Sequence, residues 1–182
     1  MTHIYNGLTA LQVVENRKYF GANTLTHAPI EYTNQENKID SYVTKTKKDT
    51  MTVSYNGGST RLTLKQGTGE ALEQNGAVSF YYAGYVFNGS INESNLFGTN
   101  HKATAEKARW DLTDADYSIY ETDLTDARLL EGVRNGLKGV RAGEECEILF
   151  TGKYGFGNTT FGIIPANSAL AFKIWVVGVS ND

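Results

Sequence analysis

The sequence predicts an α+β fold, and three observations carry that prediction. Runs rich in aromatic and β-branched residues alternate with a period of two, Asn-Gly and Gly-Gly turns separate them, and a single short helical stretch interrupts them in the second half. Strands in runs around one central helix indicate α+β, not a parallel sheet built from βαβ units.

From the N-terminus, Leu8, Leu11, Val14 and Tyr19 recur at helical spacing around Glu15, Arg17 and Lys18, which predicts a helix over 8–20 stopped by Gly21. Between Asn23 and Lys48 the apolar points Tyr32, Ile39, Tyr42 and Val43 stand among Thr, Asn and Lys, and the expectation is extended or irregular structure. Met51–Tyr55 and Arg61–Lys65 alternate on either side of Asn56-Gly57-Gly58, which reads as a hairpin. Gly67-Thr68-Gly69 is a loop and Asn75-Gly76 a turn; Ala77–Val86 is then a long strand closed by Asn88-Gly89. His101–Trp110 is rich in Ala, Lys and Glu and is expected to be helical, and Asp111–Asp126 is acidic and irregular. Leu130, Val133, Leu137 and Val140 give a short helix over Leu129–Val140, Glu145–Phe150 follows as a strand after Ala142-Gly143, and Ala169–Val179 is the last strand.

Composition narrows the function classes. The chain has 182 residues, 17 Lys and Arg against 20 Asp and Glu, 40% hydrophobic and 12% aromatic residues, and two Pro. That length suits one domain with an extension and can bury a core. A net charge of −3 offers no electrostatic footprint for nucleic acid or an anionic membrane surface. The longest apolar runs, such as Phe172–Val177, fall far short of a membrane span. The N-terminus has no basic stretch leading into an apolar one, which leaves a cytosolic protein or an exported one lacking its leader.

The usual catalytic constellations are missing: no Gly-x-Ser-x-Gly, no Walker loop, no Cys pairs, no His-Glu-x-x-His. His3, His27 and His101 lack the spacing of a ligand set and read as solvated surface residues, so no metal is expected. Cys146, in a strand with Glu on both sides, reads as a packed structural thiol. Asp111, Asp114 and Asp116, like Glu144, Glu145 and Glu147, read as solvated faces.

The aromatics and glycines are more specific. Val78-Ser79-Phe80-Tyr81-Tyr82-Ala83-Gly84, then Asn88-Gly89 and Phe97, resembles the opening strand and loop of FKBP-type peptidyl-prolyl isomerases. Leu130-Glu131-Gly132-Val133 with Gly136-Leu137 resembles that family's central helix, and Gly143-Glu144 its following turn. Phe156-Gly157, Ile163-Ile164-Pro165-Ala166-Asn167 and Leu170-Ala171-Phe172 resemble its long loop and last strand, and Gly67-Thr68-Gly69-Glu70 its lead-in. The resemblance runs over roughly 58–180 with the pieces in order.

It implies a twisted antiparallel sheet wrapped around a short central helix, with the family domain over 58–182 and an insertion at about 98–128 that partly covers the site; residues 1–57 lie outside the resemblance and read from their own pattern as an N-terminal helical extension, helix over 8–20 and then extended or irregular structure. The resemblance implies isomerisation of X–Pro bonds in protein chains at a shallow apolar pocket, without cofactor, with proline-containing polypeptides as substrate and macrolides as a further ligand class. Carried over residue by residue, Phe97 and Phe172 wall the prolyl ring beside Tyr82, Leu129, Leu130 and Val133 bind substrate, Phe156 stands where the family has a Tyr hydroxyl, and the Ile164 N–H donates to the ligand. Gly98 replaces the family's Asp, and Val133 the Trp that floors many members' pockets, so the pocket is expected to be more apolar and wider at its base. These departures keep a second reading open, a catalytically reduced binding or chaperone-like module; the abundance of Tyr and Asn suggests a third, a glycan- or partner-binding β-domain. The early helix resembles the segment preceding the domain in envelope-anchored bacterial members, which favours a cell-envelope protein over a cytoplasmic one.

Overall fold

The computed structural model describes residues 32–113 and 115–182; the helix expected over 8–20, with His3, His27 and Asp114, lies outside the described residues. In chain order the elements are helix α1 (Thr33–Thr46), strands β1 (Thr52–Asn56), β2 (Ser59–Lys65), β3 (Ala77–Phe87) and β4 (Leu96–Thr99), helix α2 (Lys102–Lys107), strand β5 (Tyr120–Asp123), helix α3 (Glu131–Leu137), and strands β6 (Glu145–Phe150) and β7 (Ala169–Ser180). The strands form one antiparallel sheet in the order β1-β2-β6-β7-β3-β4, with β5 also paired to β3. Its centre is the pairing of β3 with β7 from Ala77 opposite Ser180 to Phe87 opposite Ala169.

The period of two gives the sheet two apolar faces. The inner face presents Phe80, Tyr82, Cys146, Ile148, Phe150, Leu170, Phe172 and Ile174, all buried against Leu129, Leu130, Val133, Leu137 and Val140 on and around α3. That helix is pinned to β2 by Ser59 Oγ, which donates to the Gly132 carbonyl at 2.6 Å, and by the Arg61 guanidinium, which donates to the Gly136 and Lys138 carbonyls. A cation at the last carbonyls of a helix satisfies acceptors that have no partner within it. Gly132 and Gly136 face the sheet so closely that a Cβ would lie 2.3 Å from Phe150 Cγ and 2.2 Å from Ile148 Cγ2 respectively.

The outer face is covered twice. Ile39 and Val43, one turn apart on α1, pack with Leu62, Phe87, Leu149, Ala169 and Ala171, and the Tyr42 ring meets Phe87 edge-on at 5.4 Å. Residues 33–46, expected to be extended or irregular, are thus helical: few apolar residues occupy the segment, but those few fall on one stripe, and the sheet supplies the burial that fixes them. The boundary expected at 57/58 falls in the β1–β2 turn, so the sheet begins at Thr52. The second cover is the insertion. α2 is shorter than the helix expected over 101–110, and Ala108 and Trp110 lie against Ala83, Tyr85 and Leu96 on the outer face, while Tyr120 and Leu124 further along the insertion pack on the inner cluster. Its end returns as β5, a strand within the stretch expected to be irregular.

Three residues expected at the solvated surface are packed instead. His101 stacks on Trp175 at 3.8 Å, its Nδ1 lies 2.8 Å from Thr104 Oγ1, and burial lowers its pKa. Glu144 is buried where it meets Arg61 Nε at 3.3 Å and accepts from Thr63 Oγ1 and the Arg141 N–H. Glu147 is buried on the outer face and accepts from the Tyr42 hydroxyl at 2.7 Å. Cys146 is a packed thiol whose pKa burial pushes up. Among the described residues no helix is long and apolar enough to cross a membrane.

Two outcomes follow from this packing. Gly132→Ala gains about 1 kcal/mol of helix propensity but drives a methyl group into the middle of the Phe150 ring, which costs about 1–3 kcal/mol on the overpacking scale. Because inner ring atoms cannot swing aside, we expect net destabilisation in urea unfolding, where a stabilised variant would show that α3 can retreat. Burial raises the Glu147 pKa, with the Tyr42 hydrogen bond and the Lys173 charge opposing the rise in part. The folded state therefore holds this proton more tightly than the unfolded chain. Its contribution to stability is complete below the unfolded carboxyl pKa, about 4.3, and is lost as pH rises through the higher folded value. Glu147→Gln keeps an acceptor for Tyr42 and should gain on the parent protein steadily as urea unfolding is repeated from about pH 4 towards neutrality; parallel pH profiles would refute this.

Candidate active site

The eight residues carried over from the resemblance come from five parts of the fold: Tyr82 from β3, Phe97 from β4, Leu129, Leu130 and Val133 from the start of α3, Phe156 and Ile164 from the β6–β7 connection, and Phe172 from β7. The structure brings all eight into one cluster, and each is 3% exposed or less. Rings order its centre. Phe97 meets Phe172 edge-on at 5.8 Å, Tyr82 lies 6.4 Å from Phe172 at a tilt of 47°, and Phe150 stacks on the same Phe172 ring at 6.0 Å. Phe156 stacks on Phe161 at 6.1 Å. Offset and edge-on pairs of this kind align the positive ring edge with a negative ring face.

Local hydrogen bonds hold Tyr82 in place. Its backbone N–H donates to Asn100 Oδ1 at 2.7 Å, and its carbonyl accepts from Thr99 Oγ1 at 2.6 Å. Asn100 is buried and also donates to the Ser118 carbonyl at 3.0 Å, which ties the run-in to β5 to the same point. At the helix end, Arg134 donates to the carbonyls of Leu124, Asp126 and Leu129, fixing the chain that delivers Leu129 and Leu130.

The structure adds to two expectations. The side chains expected to line a shallow pocket are each 3% exposed or less, and Phe150 lies against Gly132 and Phe172 beside them. The Ile164 N–H, expected to donate to a bound ligand, donates here to the Phe161 carbonyl at 2.9 Å, and the Phe161 N–H returns a bond to the Ile164 carbonyl at 3.0 Å. This two-way bridge closes the four-residue turn from Phe161 to Ile164 within the β6–β7 connection. Gly98 pairs with Gly84 in the sheet and presents no polar group.

Sequence reasoning missed Phe150, Phe80 and Tyr120 as members. Phe150 and Phe80 were accessible through the period of two, since Cys146, Ile148 and Phe150, like Phe80 and Tyr82, share a face. Tyr120, 5.4 Å from Phe80 and 6.5 Å from Tyr82, sits on a four-residue strand with no alternation to mark it. Burial and the Asp126 charge raise its pKa, so its phenol stays protonated at neutral pH. Among the described residues no group of three or more His, Cys, Asp or Glu is placed to hold a metal ion.

A dry, ring-lined seam between a short helix and the concave side of an antiparallel sheet can bind an apolar ring and deny water to the bond beside it. Comparisons with known proteins agree with that geometry. FK506-binding protein 1 of Aspergillus oryzae is 22% identical over 123 residues, covering 68% of this chain and 99% of that protein. FK506-binding protein 1A of Aspergillus fumigatus is 30% identical over a shorter stretch, 34% of this chain and 56% of that protein. Among solved structures, FkpA from Escherichia coli matches 93% of this chain and 70% of its own at 19% identity, with a TM-score of 0.57. The peptidyl-prolyl isomerase of Pseudomonas syringae matches 85% of this chain and 100% of its own at 16% identity and a TM-score of 0.56. Wheat FKBP73, with three FKBP domains, is spanned over 52% of its length, at a TM-score of 0.56. Residues 67–177 match the family described as FKBP-type peptidyl-prolyl cis-trans isomerase, and the chain belongs to that family.

Proposed function

We propose that the protein isomerises X–Pro bonds in polypeptide chains at the seam between α3 and the sheet, with Phe97 and Phe172 as the walls for the prolyl ring and Tyr82 beside them. The observation that supports this reading is the edge-on Phe97–Phe172 pair with Tyr82 on the same ring, all buried in one cluster. Leu129, Leu130 and Val133 would form the helix side of the site, and Phe156 and Ile164 the loop side.

Rotation about an X–Pro bond crosses about 18–20 kcal/mol because the planar amide is resonance-stabilised, whereas cis and trans differ by only about 0.5–1 kcal/mol. A catalyst therefore has only to bind the twisted amide better than either planar form. In the twisted form the carbonyl oxygen loses the negative charge that conjugation lent it, so an environment poor in water and in hydrogen-bond donors favours it. No covalent bond is made or broken, and the step calls on no nucleophile. The rings supply the dry surroundings, and breaking the Phe161–Ile164 turn would release the Ile164 N–H to hold the bound chain.

Macrolides that mimic a twisted prolyl amide would compete for this seam. A second reading, a binding or chaperone-like module with reduced turnover, is favoured by the apolar residues Gly98 and Phe156 and by the engaged Ile164 N–H. The proposal extends to a bacterial cell-envelope protein, on the resemblance to envelope-anchored members that carry a helix before the domain.

Exchange kinetics on a Leu-Pro or Phe-Pro peptide, with and without a macrolide, test the assignment. We expect inhibitable acceleration by the parent protein and a fall of at least about tenfold in kcat/KM, about 1.4 kcal/mol, for Phe97→Leu and for Phe172→Leu, with circular dichroism showing both folded. Parent-like rates in both variants would remove these rings from the site. A folded parent with no acceleration that still holds unfolded chains would favour the binding module.

A further inference from the structure

The β6–β7 connection, which carries Phe156 and Ile164, is gathered at its neck by a closed ring of four hydrogen bonds. The Gly157 N–H donates to the Gly152 carbonyl at 2.9 Å, and the Asn167 N–H donates to the Gly157 carbonyl at 2.6 Å. The Gln35 side chain on α1 supplies the other two: its Nε2 donates to the Asn167 carbonyl at 2.5 Å, and its Oε1 accepts from the Gly152 N–H at 2.9 Å. The neck has no slack, since a Cβ on Gly152 would lie 2.6 Å from the Asn167 carbonyl carbon. Asn167 itself holds a positive φ of 64°, and a residue other than glycine keeps such a conformation where its surroundings impose it.

Gln35 is placed to act on the loop as a whole. It meets a backbone donor where the chain leaves β6 and a backbone acceptor where the chain enters β7, a pair that a carboxamide can serve together and a carboxylate cannot. Gly152 is buried, so its N–H has little recourse to water once that oxygen is removed. The helix beneath is anchored to the sheet by Ile39 and Val43, away from the loop. Tyr32, just before α1, adds a hydroxyl bond to Asn167 Oδ1 at 3.1 Å. Both residues lie outside 67–177, the stretch that matches the family.

We propose that Gln35 is a positioning residue for the prolyl site: from a helix outside the family-matched stretch it fixes the neck of the β6–β7 loop, and through Gly157 and Asn167 it sets where Phe156 and Ile164 stand. The consequence for turnover rests on the isomerase reading; the hold on the loop does not. A loop ordered beforehand has less freedom to lose when a chain binds. The walls Phe97 and Phe172 come from strands, so a loosened neck weakens capture of the chain and leaves rotation of the bound chain nearly as fast, which raises KM with little change in kcat.

The test compares, in the full chain, Gln35→Met, which keeps the length of the side chain and removes both bonds, with Gln35→Glu, which keeps the acceptor for Gly152 and sets a carboxylate against the Asn167 carbonyl. Val43→Ala, a loss of packing on the same helix, controls for stability. Amide hydrogen exchange at Gly157 and Asn167, taken relative to the amides of β3 and β7, should quicken at least about tenfold in both Gln35 variants and keep the parent ratio in Val43→Ala. On the Leu-Pro peptide, KM should rise at least about threefold in both Gln35 variants with kcat within about twofold of the parent, and Val43→Ala should move neither. Parent-like exchange ratios in Gln35→Met would overturn the proposal. So would an equal rise of KM in Val43→Ala, or a KM that stays at the parent value while loop exchange quickens. A parent protein that does not isomerise would sink the isomerase reading alone; quickened loop exchange in Gln35→Met would still uphold the hold on the loop, and parent-like exchange would still overturn it.

Discussion

The closeness of α3 to the sheet is the constraint on which the rest of the molecule depends. At Gly132 and Gly136 the helix has no side chain to hold it away, and the rings and methyl groups of Phe150 and Ile148 occupy the room that a Cβ would need. Such glycines are poor helix formers, and a seven-residue helix has little stability of its own. Ser59 and Arg61 supply what propensity does not, by bonding the helix carbonyls from β2. The helix is thus a creation of the sheet, and the ring cluster exists because the two surfaces can approach to contact.

That arrangement explains how a site of this kind is kept dry. Phe172 touches Phe97, Tyr82 and Phe150 at once, so its ring is held on several sides by other rings from three strands. Polar groups are kept to the margin, where each has a specific partner: Asn100 at the Tyr82 N–H, Arg134 at the carbonyls leading into α3, Glu144 on Arg61. A buried polar atom without a partner would cost more than a hydrogen bond contributes, and these pairings let the chain turn sharply beside an apolar cluster without that loss.

The outer face shows how much of the fold was legible and why the remainder was not. Strand positions followed from alternation, and Glu145–Phe150 is observed at the expected bounds. The family's ordered pieces located all eight cluster residues, because aromatic and glycine positions are dictated by packing that any such sheet shares. Helix α1 was illegible because Ile39 and Val43 are two apolar residues in a polar stretch, and only the sheet beneath them turns that pair into a buried face. Glu144 and Glu147 looked solvated because a carboxylate in sequence says nothing of the Arg or Tyr that another element will bring to it. Tyr120 had no pattern to reveal it, since its strand is made by pairing with β3 and not by its own residues.

The closed Phe161–Ile164 bridge bears on the chemistry itself. A twisted prolyl amide is favoured by dryness, and dryness requires closure; substrate entry requires the reverse. In this chain the Phe161–Ile164 turn is held by a pair of backbone hydrogen bonds with one aromatic stack beside it, while the ring cluster is built from three strands and a pinned helix. Breaking the turn would cost two exchangeable bonds and leave the rings standing, whereas parting the rings would unmake the core. On the proposed reading the Ile164 N–H is the donor for the bound chain, so the turn and the substrate would compete for the same backbone N–H. The energy of that turn would then count, beside the apolar Gly98 and Phe156, in how tightly a prolyl chain is held.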